Sequence, residues 1–331
     1  MKLSQRGEFQ IIDYLRSRGK LEAGLVCGIG DDCAIVRIAA DEDLLTTADL
    51  LTEGIHFDLA WTDLFRLGRK AVSVNVSDLA AMGARPRYLF LSMALPDSLN
   101  IEQIDALLSG FLDACDEYGA VLAGGDTCRS AGGLTLSVAA QGTAAQERAI
   151  RRIGAVPGDV LFVTGSLGDS ALALRLLQSG KQPDRFLLGR HVDPTARIAC
   201  GLALAAARVP TAMIDISDGL LADLQHLLAG SGVGAVIEQQ NLPLSTPFRT
   251  ALDGQPDLIE LALTGGEDYE LLFTAPDVAS EAVAAVSHRC QVPITRVGRI
   301  VTAGEGLRLR GPAGELPLPA HRGYKHFPET P

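Results

Sequence analysis

Short apolar runs alternate along this chain with longer stretches of helical spacing, and many of the runs end in Gly, Asp or Glu. Residues 44–49 and 88–95 read as strands, the second closed by Pro96-Asp97. Residues 64–82 read as a helix despite their β-branched members. Ile104, Leu107, Leu108, Phe111, Leu112 and Cys115 recur at helical spacing and predict a helix over 101–118. Residues 121–123 and 134–142 predict strands around a turn at Gly124-Gly125-Asp126-Thr127. Near 145–158 the pattern breaks into polar and turn residues, which places a domain boundary near 147. Beyond it, 160–164, 235–238, 269–274 and 294–301 predict strands, as does a run ending at Ile214. Helices are predicted over 168–179, 195–208, 220–229 and 278–289. Phe9, Ile12 and Leu15 add an amphipathic helix over about 7–18. The order is mixed α+β in two domains, 1–146 and 147–331, rather than a regular βαβ winding.

Composition narrows the class. With 331 residues, 47% hydrophobic and 21% charged, the chain has ample core for two soluble domains. Its formal charge of −11 argues against a nucleic-acid surface, which needs clustered Lys and Arg. No apolar run reaches the roughly 18 residues that span a bilayer, and the N-terminus lacks an apolar signal core. Six cysteines, at 27, 33, 115, 128, 200 and 290, form no Cys-x-x-Cys and fit no zinc spacing. Reduced, mostly buried thiols in a cytoplasm are expected.

The candidate chemistry lies where strands end. Asp31-Asp32 follows Gly28-Ile29-Gly30, and Asp49 closes the run that begins at Leu44. Asp126 follows two glycines, Asp215 and Asp218 flank Ile216-Ser217, and Glu267-Asp268 follows Gly265-Gly266. In open α/β sheets ligands collect at strand ends. Acids massed there repel unless cations lie between them, and oxygen-only ligands favour Mg²⁺. This pattern points to a metal–nucleotide site. No Walker loop and no complete dinucleotide fingerprint accompany it.

Each motif alone stays open. Gly-Asp-Asp is also a common surface turn. Asn75 and Asp78 share a helix face, where they can serve a cation or a structural hydrogen bond. The Gly124-Gly125 turn can offer backbone N–H groups to phosphate, with Arg129 or Arg152 supplying charge. Ser217 or Asp218 can cap the helix that follows, whose N-terminus would also welcome phosphate.

Taken in order, the motifs resemble a known family. Gly28-Ile-Gly-Asp-Asp-Cys-Ala, Asp49-Leu-Leu-Thr-Glu-Gly-Ile-His-Phe, Asn75-Val-Ser-Asp-Leu-Ala-Ala-Met-Gly-Ala, Gly124-Gly-Asp-Thr-Cys-Arg, Val163-Thr-Gly-Ser-Leu-Gly-Asp-Ser-Ala, Ile214-Asp-Ile-Ser-Asp-Gly-Leu and Gly265-Gly-Glu-Asp-Tyr-Glu-Leu are similar to the thiamine-monophosphate kinases. These belong to the aminoimidazole ribonucleotide synthetase superfamily. The resemblance runs from Gly28 to Tyr324. It implies a two-domain aminoimidazole ribonucleotide synthetase-like α/β fold with mixed sheets. The N-terminal domain would bind ATP and metal and form a homodimer. The implied activity is phosphorylation of thiamine phosphate to thiamine diphosphate, with ATP as co-substrate, several Mg²⁺ ions and no covalent nucleophile. Carried onto matching positions, Asp32, Thr47, Asp49, Asp78, Asp126, Asp215 and Asp218 would be metal ligands. Ala48 stands where the family commonly has Thr, so it would contribute only a backbone carbonyl. Gly125, Asp126, Arg152 and Ser217 would contact ATP. His56, Glu267 and Tyr324 would meet thiamine phosphate. A selenophosphate synthetase of the superfamily would instead carry a reactive Cys in a glycine-rich N-terminal loop, and Cys27 lies in a different motif.

Overall fold

The computed structural model describes residues 24–27 and 35–324. Asp32 with its Gly28-Ile-Gly motif, and the helix expected over 7–18, lie outside the described residues. The chain divides into two compact units. One comprises Ala84–Arg148 and the described residues up to Leu79, and the other takes Ala80–Gly83 and the residues from Ala149 onward.

In the first unit, β1 (Leu25–Cys27) pairs with β2 (Ile35–Val36) as a small ribbon. The main sheet has four strands: β3 (Glu42–Thr52), β4 (Arg85–Pro96), β5 (Val121–Ser130) and β6 (Thr135–Ala145), in the order β3-β6-β4-β5. β3 and β6 pair antiparallel without a break, from Glu42 opposite Ala145 to Thr52 opposite Thr135. β4 and β5 run parallel, which requires a crossover. Helix α2 (Ile101–Tyr118) supplies it, opened by a capping box between Asn100 and Gln103 and closed by Gly119 in the left-handed region. Helix α1 (Leu64–Ala81) meets α2 backbone to backbone. A Cβ on Gly68 would lie 2.0 Å from the Leu107 carbonyl oxygen, and one on Gly110 would lie 1.8 Å from that of Phe65.

One expectation fails here. The turn read at Gly124-Gly125-Asp126-Thr127 is the middle of β5, paired with β4 from Gly124 opposite Phe90 to Ser130 opposite Pro96. The glycines serve close backbone approach rather than reversal. A Cβ on Gly125 would stand 1.9 Å from the Leu91 carbonyl oxygen.

The second unit is built on a seven-stranded sheet. Its strands are β7 (Val160–Thr164), β8 (Ala212–Asp215), β9 (Val233–Glu238), β10 (Leu271–Ala275), β11 (Ile294–Thr302), β12 (Leu307–Gly311) and β13 (Gly314–Leu316). Their order is β13-β12-β9-β11-β7-β10-β8, with only β12 and β9 parallel. Its helices are α3 (Asp169–Gln178), α4 (Arg185–Val192), α5 (Ile198–Ala207), α6 (Leu220–Ser231), α7 (Thr246–Gly254), the single turn α8 (Leu261–Thr264) and α9 (Ser280–Cys290). Leu161, Val163, Ile214, Leu224, Leu227, Ile237 and Leu272 are among the side chains that close the core. The sequence pattern predicts neither α4, α7 nor the β12–β13 hairpin. Both helices are short and carry side-chain caps, Asp184 on the Phe186 N–H and Ser245 on the Phe248 N–H. Eight or nine residues offer too few turns for periodicity to register. No helix of the described residues is long and apolar enough to cross a membrane.

Candidate functional site

Alternation along β3 sorts its residues between two faces. Thr47 and Asp49 lie on the face toward α1, where Asn75 and Asp78 stand one turn apart. The buried Asn75 accepts the Asp49 N–H through Oδ1 at 3.0 Å and donates through Nδ2 to the Ala71 carbonyl at 2.9 Å. The Thr47 hydroxyl donates to the Asp78 carboxylate. Burial, and after it the negative charge of Asp78, push the Asp49 carboxyl up to about 6. A divalent cation beside both carboxylates would relieve that cost. A set of carboxylate and hydroxyl oxygens suits Mg²⁺, which takes one or two carboxylates and keeps water and phosphate in its remaining positions.

The other residues expected in this unit lie apart from that group. Ala48 sits between Thr47 and Asp49 with its side chain on the opposite, exposed face. Asp126 is exposed on β5, opposite Ser92, which is opposite Ser137, which is opposite Leu50. Three strand spacings of about 4.8 Å separate its level from β3. Gly125 precedes it, held against β4. His56 follows β3 and accepts the Thr52 N–H on Nδ1 at 3.0 Å, which leaves the proton of the neutral ring on Nε2. Its carbonyl accepts from the buried Lys70 at 3.2 Å. Arg129 forms an exposed ion pair with Asp97 at 2.6 Å. Among the described residues no three His, Cys, Asp or Glu side chains gather as a metal cage.

In the second unit two glycine-rich motifs form one structure. Asp215 ends β8 opposite Leu271 of β10. Past the ladder, Ile216 N–H donates to the Glu270 carbonyl, Tyr269 N–H to the Ile216 carbonyl, and Glu267 N–H to the Ser217 carbonyl, at 2.7–2.8 Å. Glycine permits this approach: a Cβ on Gly266 would lie 2.5 Å from the Ser217 carbonyl oxygen. Tyr324 joins the group through its N–H, 3.0 Å from the Asp218 carbonyl oxygen, with its side chain half-exposed. Asp215, Ser217, Asp218, Glu267 and Tyr324 thus come together, as their motifs suggest. Arg152 is exposed, and the carbonyl of its neighbour Arg151 accepts the N–H of Met213 in β8.

The structure decides between the readings left open for Ser217 and Asp218. Neither Ser217 nor Asp218 caps α6; the N-cap is Gly219, without a side-chain bond. Asp223, in the first turn, instead receives the N–H groups of Ser217, Asp218 and Gly219 on one oxygen at 3.0–3.1 Å. These donors are therefore taken and do not await phosphate. Burial, then the charge of Asp218, push the Asp223 carboxyl up to about 7, against the pull of the three N–H groups. Sequence reasoning missed this residue, whose only signal was an acid in the first helical turn after Asp218-Gly219.

The Gly265–Glu270 motif divides its labour. Glu267 (φ 65°) and Tyr269 (φ 50°) are both left-handed, at a cost of about 1–2 kcal/mol each. The surroundings must hold them there. Asp268 is buried and accepts the Gly168 N–H on both oxygens, at 2.9 and 3.1 Å; burial raises its carboxyl well above the usual range. Glu270, wholly buried, accepts from Arg190 at 2.9 Å, from Arg197 at 2.5 and 2.6 Å, and from the Thr164 hydroxyl at 2.7 Å. Glu267 keeps a partly exposed carboxylate, 3.3 Å from His191 Nδ1. Of the cysteines, Cys115 and Cys200 are buried thiols in no disulfide, as expected, whereas the thiol of Cys128 is exposed.

Two family models match the chain: AIR synthase related protein, N-terminal domain, over residues 30–144, and its C-terminal domain over 156–310. The thiamine-monophosphate kinase of Salmonella typhimurium is 39% identical, covering 97% of this chain and 98% of its own. The chain belongs to the thiamine-monophosphate kinase family. Solved structures agree with that membership. The thiamine-monophosphate kinase from Stenotrophomonas maltophilia K279a is 41% identical with a TM-score of 0.83, over 92% of this chain and 96% of that one. AaThiL complexed with AMPPCP and TMP is 36% identical with a TM-score of 0.75, over 99% of both chains. Of the residues expected at the site, Asp32 alone lies outside the described residues.

Proposed function

We propose that this chain phosphorylates thiamine phosphate to thiamine diphosphate at the expense of ATP. The observation that carries this reading is the near-full-length likeness to thiamine-monophosphate kinases, joined to the likeness to AaThiL complexed with AMPPCP and TMP. The reaction is direct in-line transfer, in which the acceptor phosphate attacks the γ-phosphorus while ADP leaves. That phosphate is already ionised near neutrality, so the site needs little general-base help. Mg²⁺ supplies the positive charge that brings two anionic substrates together and balances charge on the phosphoryl oxygens.

Asp32, Thr47, Asp49, Asp78, Asp126, Asp215 and Asp218 are the proposed holders of several Mg²⁺ ions, with Ala48 adding at most its carbonyl. The raised carboxyl of Asp49 beside Asp78 supports this for one pair. Gly125, Asp126, Arg152 and Ser217 are proposed to contact ATP, and His56, Glu267 and Tyr324 to bind thiamine phosphate. Glu267 faces the cationic ring system and Tyr324 stacks on it.

We also propose a homodimer formed by the N-terminal unit. Its support is the exposed apolar character of one β3 face, where Leu44 is 37% and Leu50 is 54% exposed. The use of ATP and the buried thiols fit a cytoplasmic enzyme. The deciding experiment is product analysis after incubation with ATP, Mg²⁺ and thiamine phosphate. One ADP per thiamine diphosphate is expected, with thiamine a poor acceptor because it lacks the attacking phosphate. Equal reaction of thiamine would overturn the substrate assignment, and a phosphorylated protein formed from γ-labelled ATP alone would overturn direct transfer.

A further inference from the structure

His191 lies in the last turn of α4 and is nearly buried, yet it belongs to none of the motifs that mark the family resemblance. Its Nδ1 stands 3.3 Å from Glu267 Oε2 and 3.0 Å from Ser170 Oγ, in the first turn of α3. Ser, His and Glu side by side invite a nucleophile–base reading, and the geometry excludes it. Both contacts fall on the same ring nitrogen, so the imidazole cannot take a proton from Ser170 on one side while Glu267 orients it from the other. Ser170 is also buried, with 1% of its surface exposed.

The same geometry suits one placement of the proton. An ionised carboxylate only accepts, so a hydrogen bond from His191 to Glu267 needs the hydrogen on Nδ1, with the Ser170 oxygen as a second neighbour. Glu267 needs such an anchor. Its backbone is left-handed at φ 65° on a glycine-led loop, and a carboxylate on a long side chain has several rotamers to lose on binding. The end of α4 suits the donor, because the carbonyl end of a helix favours protonated or hydrogen-donating imidazole.

We propose that His191 is a positioning residue for the acceptor: its Nδ1–H, steadied by Ser170, fixes the Glu267 carboxylate in the orientation that receives the cationic part of thiamine phosphate. This rests on the acceptor role given to Glu267 above. The neighbouring acids Asp268 and Glu270 have other partners, in the Gly168 N–H and in Arg190, Arg197 and Thr164, so the His191 contact is particular to Glu267.

The test is steady-state kinetics on the enzyme with five variants, one of them double. His191→Ala should raise the KM for thiamine phosphate about tenfold, the scale of losing a hydrogen bond to a charged group, and leave the KM for ATP within about twofold. His191→Asn places an amide N–H where Nδ1 was and should restore most of the affinity. His191→Gln places its donor near the other ring nitrogen and should not. Adding His191→Ala to Glu267→Gln should raise the KM little beyond Glu267→Gln alone, because the two act as one unit. Multiplying effects, equal losses for ATP and acceptor, or equal behaviour of Asn and Gln would overturn the proposal. So would a lowered unfolding midpoint with both KM values unchanged. Should His191→Ala fail to fold, the Asn and Gln pair decides alone. Glu267→Gln separates the two claims: an unchanged acceptor KM in that variant removes Glu267 from the acceptor site, whereas a raised KM with a normal His191→Ala rejects only the role of His191.

Discussion

The two units treat their acids differently. On the first, Asp49 and Asp78 face each other beside a hydroxyl and an amide, and burial plus mutual repulsion lift Asp49 to about 6. On the second, the most deeply buried acids are answered within the fold. Arg190 and Arg197 meet Glu270, three successive N–H groups meet Asp223, and the Gly168 N–H meets Asp268. An acid held by the protein's own N–H groups or guanidiniums is part of the frame, even where a neighbouring acid also raises it, as Asp218 raises Asp223. An acid raised by burial and by another acid, as Asp49 is by Asp78, is where an outside cation is wanted. Glu267, neither buried like Glu270 nor paired with an acid, forms a third kind, held by one imidazole and open on one side.

The sharpest way to break this comparison is to neutralise acids of each kind. Asp49→Asn, Asp126→Asn or Asp215→Asn should cut turnover roughly 10²-fold or more, the scale for losing a preorganised electrostatic group, with folding retained. Near-normal turnover in any of them removes that residue from the metal set. Glu270→Ala should act on stability, by about 3–5 kcal/mol, because it takes the shared carboxylate from the buried Arg190 and the partly buried Arg197. Urea unfolding measures it, and a loss under about 1 kcal/mol would end the claim that Glu270 is frame.

The pH dependence of unfolding refines the same contrast. A carboxyl raised from 3.8 to about 6 in the fold binds more protons folded than unfolded across that window. Its contribution to stability is therefore full below about pH 4 and falls as pH rises to about 6. With metal chelated, wild type should lose more stability over pH 4–6 than Asp49→Asn, a difference of about 2–4 °C in Tm or more. Excess Mg²⁺ at pH 7 should restore stability to wild type more than to the variant. Parallel curves with and without Mg²⁺ would show that Asp49 is not beside a cation. The smallest effect belongs to the exposed Arg129–Asp97 pair. Arg129→Ala should cost under about 1 kcal/mol, with turnover within about twofold; a large loss of turnover would return Arg129 to the nucleotide.

Much of this was legible in the chain. The α2 helix, 101–118, follows from periodicity together with the Asn100–Gln103 box and Gly119, because amphipathic spacing and caps are local properties. Strand β7 was readable as an apolar run for a similar reason. Asp215 was readable as an acid at a strand end, whereas Asp49 and Asp126, read the same way, lie inside β3 and β5, whose full lengths only their pairing shows. The Gly124-Gly125 segment misled because glycine signals both reversal and close approach, and only the partner strand tells which. The cap left open at Ser217 or Asp218 could not be decided from the sequence, because Asp223 competes for the same N–H groups from four residues beyond Gly219.

What the sequence determined by itself was therefore the inventory: two α/β units, an acid set fit for Mg²⁺ and phosphate, and motifs whose order marks the family. Only the tertiary structure decided the roles within that inventory. Asp223 and Glu270 became frame, Asp49 and Asp78 a charge-strained pair, and His191, on a helix too short for its pattern to show, the partner of Glu267. The reason is physical. Helix spacing, caps and turn chemistry act over a few residues. Whether a carboxylate is matched depends instead on groups brought to it from elsewhere in the chain, such as Asp78 at β3 and His191 at Glu267.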